Sequence, residues 1–381
     1  RVSFGGDRGG NRVGTVLDSS GVRKMSRILV TGATGMLGQE LIPLLLKAGH
    51  EVYALSRKPR KSARVHYIKG DVTQPSLGIE PAEVDAVLHM AALTSLRTRN
   101  EEELLIQNYL GTQNVVQYCK EHGIKRLFYV STTYVCGTEI KVLREERLPP
   151  VTKFHNRYEE SKYLAETYVC NSKLDYTIFR PGILVGRYSD GKSKFFEGFY
   201  RPVRAIVTAH HFAEQKLKLP KREVLESRLH LPTLHLPIRL YGAPDSTLAL
   251  TPVDFAARVI AERLDGSSMH RIYNVVPDKL PTLLEATNSI SEVLGIKGYH
   301  PSMERTHNPL DMFYNRLVRD FHPYLHDHPK FETSVGSECP PVDKSYLMRI
   351  VAYWRAHDVF VDEELAEETK EGYDEAAVAG V

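Results

Sequence analysis

The chain has 381 residues, 42% of them apolar and 25% charged, with a formal net charge of +3. That balance belongs to a globular protein whose core closes without staples, and it excludes disorder as the overall state. So small a charge excess gives no reason to expect a nucleic-acid partner.

Cys119, Cys136, Cys170 and Cys339 are too scattered for a disulfide framework or a zinc ribbon, and read as reduced thiols in a cytoplasmic protein. No apolar run approaches the ~18 residues of a membrane span. The opening stretch RVSFGGDRGGNRVG lacks the apolar segment of a secretory signal. Residues 1–26 read as a flexible N-terminal segment, with Met25 a candidate natural start.

From Arg27 the character changes. Arg27-Ile28-Leu29-Val30-Thr31 is a short apolar run that ends in a Gly-rich turn, and Met36 to Ala48 follows with helical periodicity. Gly49 reads as its stop, and Glu51 to Ser56 as a second strand. Val65–Lys69, Ala86–Met90, Arg126–Ser131 and Leu174–Arg180 read as further strands, with helices at Glu101–Glu121 and 157–170. This alternation predicts an α/β fold, a Rossmann-type doubly wound parallel sheet with helices on both faces and a smaller mixed C-terminal substrate domain. The dinucleotide-binding domain spans 27–190, and 247–276 returns to it. Residues 191–246 and 277–360 form the substrate-binding region, and 361–381 an acidic tail.

Gly32-Ala33-Thr34-Gly35-Met36-Leu37-Gly38 joins the first strand to the first helix. Glycines there permit a tight turn, close approach of backbone to a pyrophosphate, and tight packing of helix on strand. The helix N-terminus adds free N–H groups and partial positive charge for the phosphates. The second strand ends in Arg57 rather than an acid. An acid there suits a ribose 2′-hydroxyl and a cation a 2′-phosphate, so NADP(H) is favoured and NAD(H) is left open. Lys58, Arg60 and Lys61 read as a solvated basic loop.

Tyr158 and Lys162 stand at i and i+4 in a helical stretch and share one face. A neighbouring ammonium is expected to stabilise the phenolate and bring proton exchange toward neutral pH. Such a pair can exchange a proton with the oxygen on a carbon that gains or loses hydride. A second Tyr-x-x-x-Lys, Tyr188 to Lys192, contains Asp190-Gly191 and reads as a turn.

Together these residues resemble the extended branch of the short-chain dehydrogenase/reductase family. The resemblance is carried by the Gly32–Gly38 turn, Gly70-Asp71-Val72, His89-Met90-Ala91-Ala92 and Asn108-Tyr109-Leu110-Gly111-Thr112. It continues through Ser131-Thr132-Thr133-Tyr134-Val135-Cys136-Gly137, Tyr158 with Lys162, and Arg180-Pro181-Gly182. It implies that Asp71, with Val72, contacts the adenine and that Ala91 and Ala92 line the cofactor channel. It implies that Thr132 is the catalytic hydroxyl, that Asn108 supports the lysine, and that Pro181 and Gly182 border the nicotinamide.

Within the branch, the wording at Val130–Gly137, Asn156–Lys162 and Gly191–Tyr200 looks like the thioester-reductase and fatty acyl reductase group. The Cys136-Gly137 pair stands where nucleotide-sugar epimerases and dehydratases usually carry Tyr-Gly. The function expected is therefore NADP(H)-dependent reduction of an acyl thioester or related carbonyl, small or carrier-bound, with Thr132, Tyr158 and Lys162 as the acid/base site. A nucleotide-sugar epimerase or dehydratase is the alternative, and a non-catalytic nucleotide-binding regulator is a third. A homodimer is left open.

No metal is expected. His322, His326 and His328 read as a polar loop punctuated by Pro323 and Pro329, because a nicotinamide needs no metal to carry hydride. His210-His211 and Lys216 to Arg222 read as solvated surface. Cys136 reads as structural. Phe195, Phe196, Phe199 and Tyr200 either line an acyl pocket or pack in the core.

Overall fold

Short, near-continuous buried runs, as strands covered on both faces require, produce most of the nine strands that matter for the site: β1 (Arg27–Thr31), β2 (Glu51–Ser56), β3 (His66–Lys69), β4 (Ala86–His89), β5 (Arg126–Val130), β6 (Asp175–Pro181), β7 (Ile183–Val185), β8 (Leu250–Pro252) and β9 (Arg271–Val275). They come from a computed structural model that describes residues 26–94, 101–216, 234–264, 271–304, 308–326 and 329–357. The N-terminal segment, the acidic tail, His328 and the basic residues Lys218, Lys221 and Arg222 lie outside the described residues, as do the side chains of His211 and Lys216.

Seven strands form one parallel sheet in the order β9-β6-β5-β4-β1-β2-β3. The chain starts in the middle at β1, winds outward through β2 and β3, then crosses to β4, which pairs with β1 through Val30 opposite Leu88. The strand order reverses between β1 and β4, where a crevice opens at the carboxyl ends of the strands. β7 and β8 form a separate parallel pair beside it.

Both faces of the sheet are covered, as parallel sheets require. On one face Ile28, Val30, Val52, Leu88 and Phe179 pack with α1 (Met36–Lys47) and α6 (Val253–Glu262). On the other, the alternate residues Leu29, Val87, Leu127 and Ile178 pack with α3 (Gly111–Glu121) and α4 (Arg157–Cys170). A third cluster builds the C-terminal region from α5 (Tyr200–Lys216), α7 (Leu283–Leu294), α8 (Pro309–Leu317) and α9 (Lys344–His357). Phe212 and Phe313 stack at its centre, ring centroids 4.1 Å apart.

The sequence predicts one helix from Glu101 to Glu121. The chain is helical throughout, but α2 (Glu101–Leu104) and α3 are joined by a π-helical segment, Leu105–Leu110. Such segments are rare and concentrate at functional sites. This one carries Asn108.

Candidate active site

The crevice is built from strand ends. Gly32 adopts φ +73°, and a Cβ there would lie 2.7 Å from the backbone N of Ala91. A Cβ on Gly38 would lie 2.6 Å from the Ala33 carbonyl, so the close seat of α1 on β1 needs glycine there. Gly35 is different, since its added Cβ would meet only the Gly32 oxygen, at 3.3 Å. Gly35 caps α1 with no side-chain acceptor, and no acid occupies the first turn. The turn therefore offers unblocked N–H groups beside Met36, Leu37 and Gly38 and open space above Gly35, a cradle that fits a pyrophosphate. Thr34 steadies it by accepting a 2.9 Å hydrogen bond from Gln39 Nε2 on its carbonyl.

The other expected cofactor contacts sit at neighbouring strand ends. Arg57 is exposed immediately after β2. Gly70 N donates to Ser56 O at 3.1 Å, bringing Asp71 and buried Val72 beside that end. Asp71 Oδ1 accepts from the backbone N and hydroxyl of Thr73, at 2.9 and 3.0 Å. Ala91 and Ala92, both half-buried, follow β4, and Pro181 and Gly182 end and follow β6. Gly182 N donates to Thr251 Oγ1 at 3.2 Å, and a Cβ on it would collide with the Ala249 carbonyl.

Thr132 ends the β5 segment in extended conformation and is buried. Tyr158 lies in the first turn of α4, near enough to the Thr132 hydroxyl for that group to act on the ionisation of its phenol. Burial pushes the phenol up to about 12, Thr132 pulls it down, and the Glu159 carboxylate adds to the rise. Lys162, 2% exposed, donates to Val130 O at 2.8 Å and lies 4.5 Å from the centre of the Tyr129 ring. Burial pulls its ammonium down to about 7, against the opposing pull of Glu166. The structure thus differs from the expectation that Lys162 lowers Tyr158. The lysine addresses the β5 carbonyl and ring, and burial dominates the tyrosine.

Asn108 is 1% exposed, and none of its hydrogen bonds among the described residues goes to Lys162. Its Nδ2 donates to Leu93 O at 3.0 Å and to Ser161 Oγ at 2.9 Å, and its Oδ1 accepts from Leu93 N at 2.7 Å.

Residues without an assigned role in the sequence reading complete the network. His89 is fully buried between Thr31 Oγ1 (2.7 Å) and Thr112 Oγ1 (3.1 Å). Thr31 Oγ1 also accepts from Met90 N and Ala91 N, at 3.2 and 3.1 Å. Thr112 donates to Asn108 O at 2.5 Å. Burial, with Lys162 adding, lowers His89 to about 3, so it is neutral at physiological pH. His89 stands in the His89–Ala92 motif, the one sequence signal that pointed to it. The hydroxyls of Ser131 and Thr133, either side of Thr132, are buried with no partner among the described residues, polar capacity that suits a bound dinucleotide or substrate.

Other candidates resolve into structure. Arg180 is fully buried, paired with buried Glu166, and donates to the carbonyls of Arg144 and Glu146 at 2.8 and 2.9 Å. Burial pushes the Cys136 thiol up to about 12, which leaves it inert. Tyr188 sits in a turn, its ring stacked on Tyr346 at 5.2 Å. Phe199 and Tyr200 are core residues, and Phe196 packs edge-on against Tyr200. Only Phe195 of that group stays open, 40% exposed, in a small cleft with Met36, Gln39, Glu40, Lys192 and Lys194. His322 and His326 face the Tyr241 ring at 5.8 and 4.6 Å. Among the described residues no helix is long and apolar enough to cross a membrane.

Residues 28–217 match the model of the NAD dependent epimerase/dehydratase family. A 3-beta-hydroxysteroid dehydrogenase of Mycolicibacterium neoaurum is 33% identical over 156 residues, 38% of this chain and 43% of that protein. The chain spans about half the length of the curated relatives it matches. Among solved structures, the terminal R domain from the myxalamid PKS-NRPS pathway superposes with a TM-score of 0.65 at 21% identity, covering 89% of this chain and 92% of that one. The dTDP-glucose 4,6-dehydratase DesIV of Streptomyces venezuelae, solved with NAD bound, superposes with a TM-score of 0.59 at 19% identity, over 89% and 99% of the two chains. At those identities the likeness is one of fold.

Proposed function

This chain belongs, through residues 28–217, to the NAD dependent epimerase/dehydratase family of extended short-chain dehydrogenases/reductases, and from that premise we propose that it is an NADP(H)-dependent reductase of an acyl thioester or related activated carbonyl. The observation that carries the reading is that buried Thr132, at the end of the β5 segment, and Tyr158, in the first turn of α4, come together with buried Lys162 one helical turn further on. A non-catalytic nucleotide sensor has no chemical use for that trio.

The bound dinucleotide supplies hydride. The Gly32–Gly38 turn would hold its pyrophosphate, Asp71 and Val72 its adenine end, and Arg57 its 2′-phosphate. Ala91, Ala92, Pro181 and Gly182 would wall the channel toward the nicotinamide, and Lys162 would hold the adjoining ribose. Thr132 and Tyr158 orient the substrate carbonyl oxygen. As hydride adds to the carbonyl carbon, Tyr158 gives its proton to the developing oxyanion. The C–S bond of the thiohemiacetal then breaks, releasing thiol and aldehyde. Tyr158 recovers its proton from solvent.

The thioester is preferred because Cys136-Gly137 and the segment from Gly191 to Tyr200 carry the wording of that group, and because R domains share the fold over most of both chains. A sugar-nucleotide substrate is the second reading, supported by the likeness to the dTDP-glucose 4,6-dehydratase. One assay series separates them. The protein is incubated with NADPH and either acyl-coenzyme A thioesters of graded chain length or UDP-, GDP- and dTDP-sugars. NADPH oxidation that strengthens with chain length, by up to roughly 0.8 kcal/mol per buried methylene, is the expected result. Sugar conversion without net NADPH consumption would establish the second reading instead.

A further inference from the structure

Tyr324 lies far from Tyr158 in sequence, in a 3-10 helical turn of the C-terminal region, Arg319–Leu325. Its phenol is buried, and it donates a 2.6 Å hydrogen bond to Glu159 Oε1 while accepting one of 2.6 Å from Asn156 Nδ2. Asn156 is the N-cap of α4, its Oδ1 accepting from Glu159 N at 3.1 Å. Glu159, 1% exposed, also accepts from His155, from the backbone N at 2.9 Å and the imidazole at 3.1 Å. The Tyr324 ring packs edge-on against Tyr134, centroids 4.7 Å apart, in the turn that follows Thr132.

A helix N-terminus does not need this much. An Asn cap with a solvent-facing Glu at the third position satisfies the free N–H groups. Here the carboxylate is buried, which is costly unless it is fully hydrogen-bonded, and the closing donor is brought in from another part of the fold. The residue after Tyr158 and the residue two before it both converge on that one hydroxyl.

We propose that Tyr324 is a positioning residue for Tyr158: by holding Asn156 and Glu159 together, it lets the C-terminal region set the orientation of the acid in the first turn of α4. The proposal rests on the reading of Tyr158 as the acid. It makes the C-terminal region part of the acid/base machinery as well as a wall for substrate.

Tyr324→Phe keeps the ring and removes only the hydroxyl. We expect its kcat for NADPH oxidation with an acyl-coenzyme A to fall about tenfold, with KM and the NADPH Kd within twofold of wild type. Hydrogen exchange should quicken at the amides of 157–162 and stay unchanged in the central sheet. Glu159→Gln keeps an oxygen for Tyr324 to donate to and should hold kcat within a few-fold. Should Tyr324→Phe fail to fold, Asn156→Ser keeps a cap oxygen, loses the amide that reaches Tyr324, and should show the same local exchange change with a smaller loss of kcat. Wild-type kcat and wild-type exchange in Tyr324→Phe would overturn the proposal. So would a loss of kcat accompanied by faster exchange throughout the fold. If wild type oxidises NADPH with no thioester or sugar, the functional reading fails, and exchange at 157–162 alone decides the role of Tyr324.

Discussion

Asn108 donates a 2.9 Å hydrogen bond to the Ser161 hydroxyl, which itself donates to the Tyr158 carbonyl at 2.8 Å. A residue of the π-helical segment therefore fixes the stretch of α4 between Tyr158 and Lys162. The same amide closes on both backbone groups of Leu93, next to the expected channel residues Ala91 and Ala92. Asn108→Ala strips three bonds, the one to Ser161 buried and the two to Leu93 part-buried, and leaves the Leu93 backbone groups without those partners. Leaving a buried polar group unsatisfied costs about 1–3 kcal/mol, so the unfolding free energy from urea titration should drop by an amount in that range, with a lower midpoint. Turnover should fall as well, because Tyr158 and Lys162 lose a shared anchor. An unchanged midpoint would remove Asn108 from this role.

The extent of the helix that carries Tyr158 was legible from residues 157–170, and the β1–glycine turn–α1 unit from its apolar run and its punctuation. These signals are local. The wiring between elements was not legible. The spacing of Tyr158 and Lys162 places them on one face, yet it says nothing of the Val130 carbonyl that Lys162 meets across the fold. The π-helical segment hides inside an ordinary helical pattern, since one extra residue per turn barely disturbs the apolar period. Tyr324 carries no signal at all. It is one of 20 tyrosines, and only the tertiary fold delivers it to Glu159. Phe199 and Tyr200 show the reverse, since aromatic clustering suits a pocket and a core equally and burial decided for the core.

Lys162 should cost stability in return for its function. Its ammonium falls from the usual 10.5 to about 7 because burial strips its water. The unfolded chain therefore binds a proton more readily than the folded one between those values, and stability rises with pH across that window. Below pH 7 both states are charged and the burial cost is fully present. At 1.36 kcal/mol per unit it is on the order of 3–5 kcal/mol. Lys162→Met should accordingly be more stable than wild type at pH 6, with the gap closing toward pH 10, while its turnover collapses. Urea titrations at pH 6, 8 and 10 check this, and a less stable Lys162→Met at pH 6 would contradict it.

Arg57 stands exposed at the end of β2, beside the Asp71 loop. A guanidinium there suits a 2′-phosphate, and a charge-assisted hydrogen bond is worth about 1.5–3 kcal/mol. Arg57→Asp should reduce the ratio of NADH to NADPH dissociation constants at least tenfold, with the NADH constant unchanged or improved. Calorimetric titration of both cofactors into both proteins measures it. Equal wild-type affinities would leave Arg57 as an ordinary surface cation.

Thr132 and Tyr158 are the pair on which the proposed chemistry turns, and their roles separate by substitution. Tyr158→Phe removes the transferable proton but keeps the ring, so fold and NADPH binding should persist while turnover falls roughly 10²–10⁴-fold, the span of a lost general acid. Thr132→Val keeps the shape but removes the hydroxyl that opposes the rise of Tyr158 caused by burial and by Glu159. Its phenol should hold its proton more tightly, so the alkaline limb of the rate profile should move to higher pH as turnover falls. Tyr158→Phe should have no such limb, because the titrating phenol is gone. Rate profiles of the three proteins from pH 8 to 12, where the wild-type phenol begins to titrate, test the assignment. A Tyr158→Phe protein with near-wild-type turnover would exclude the phenol as the acid, and Thr132 would then be left with a structural role beside it.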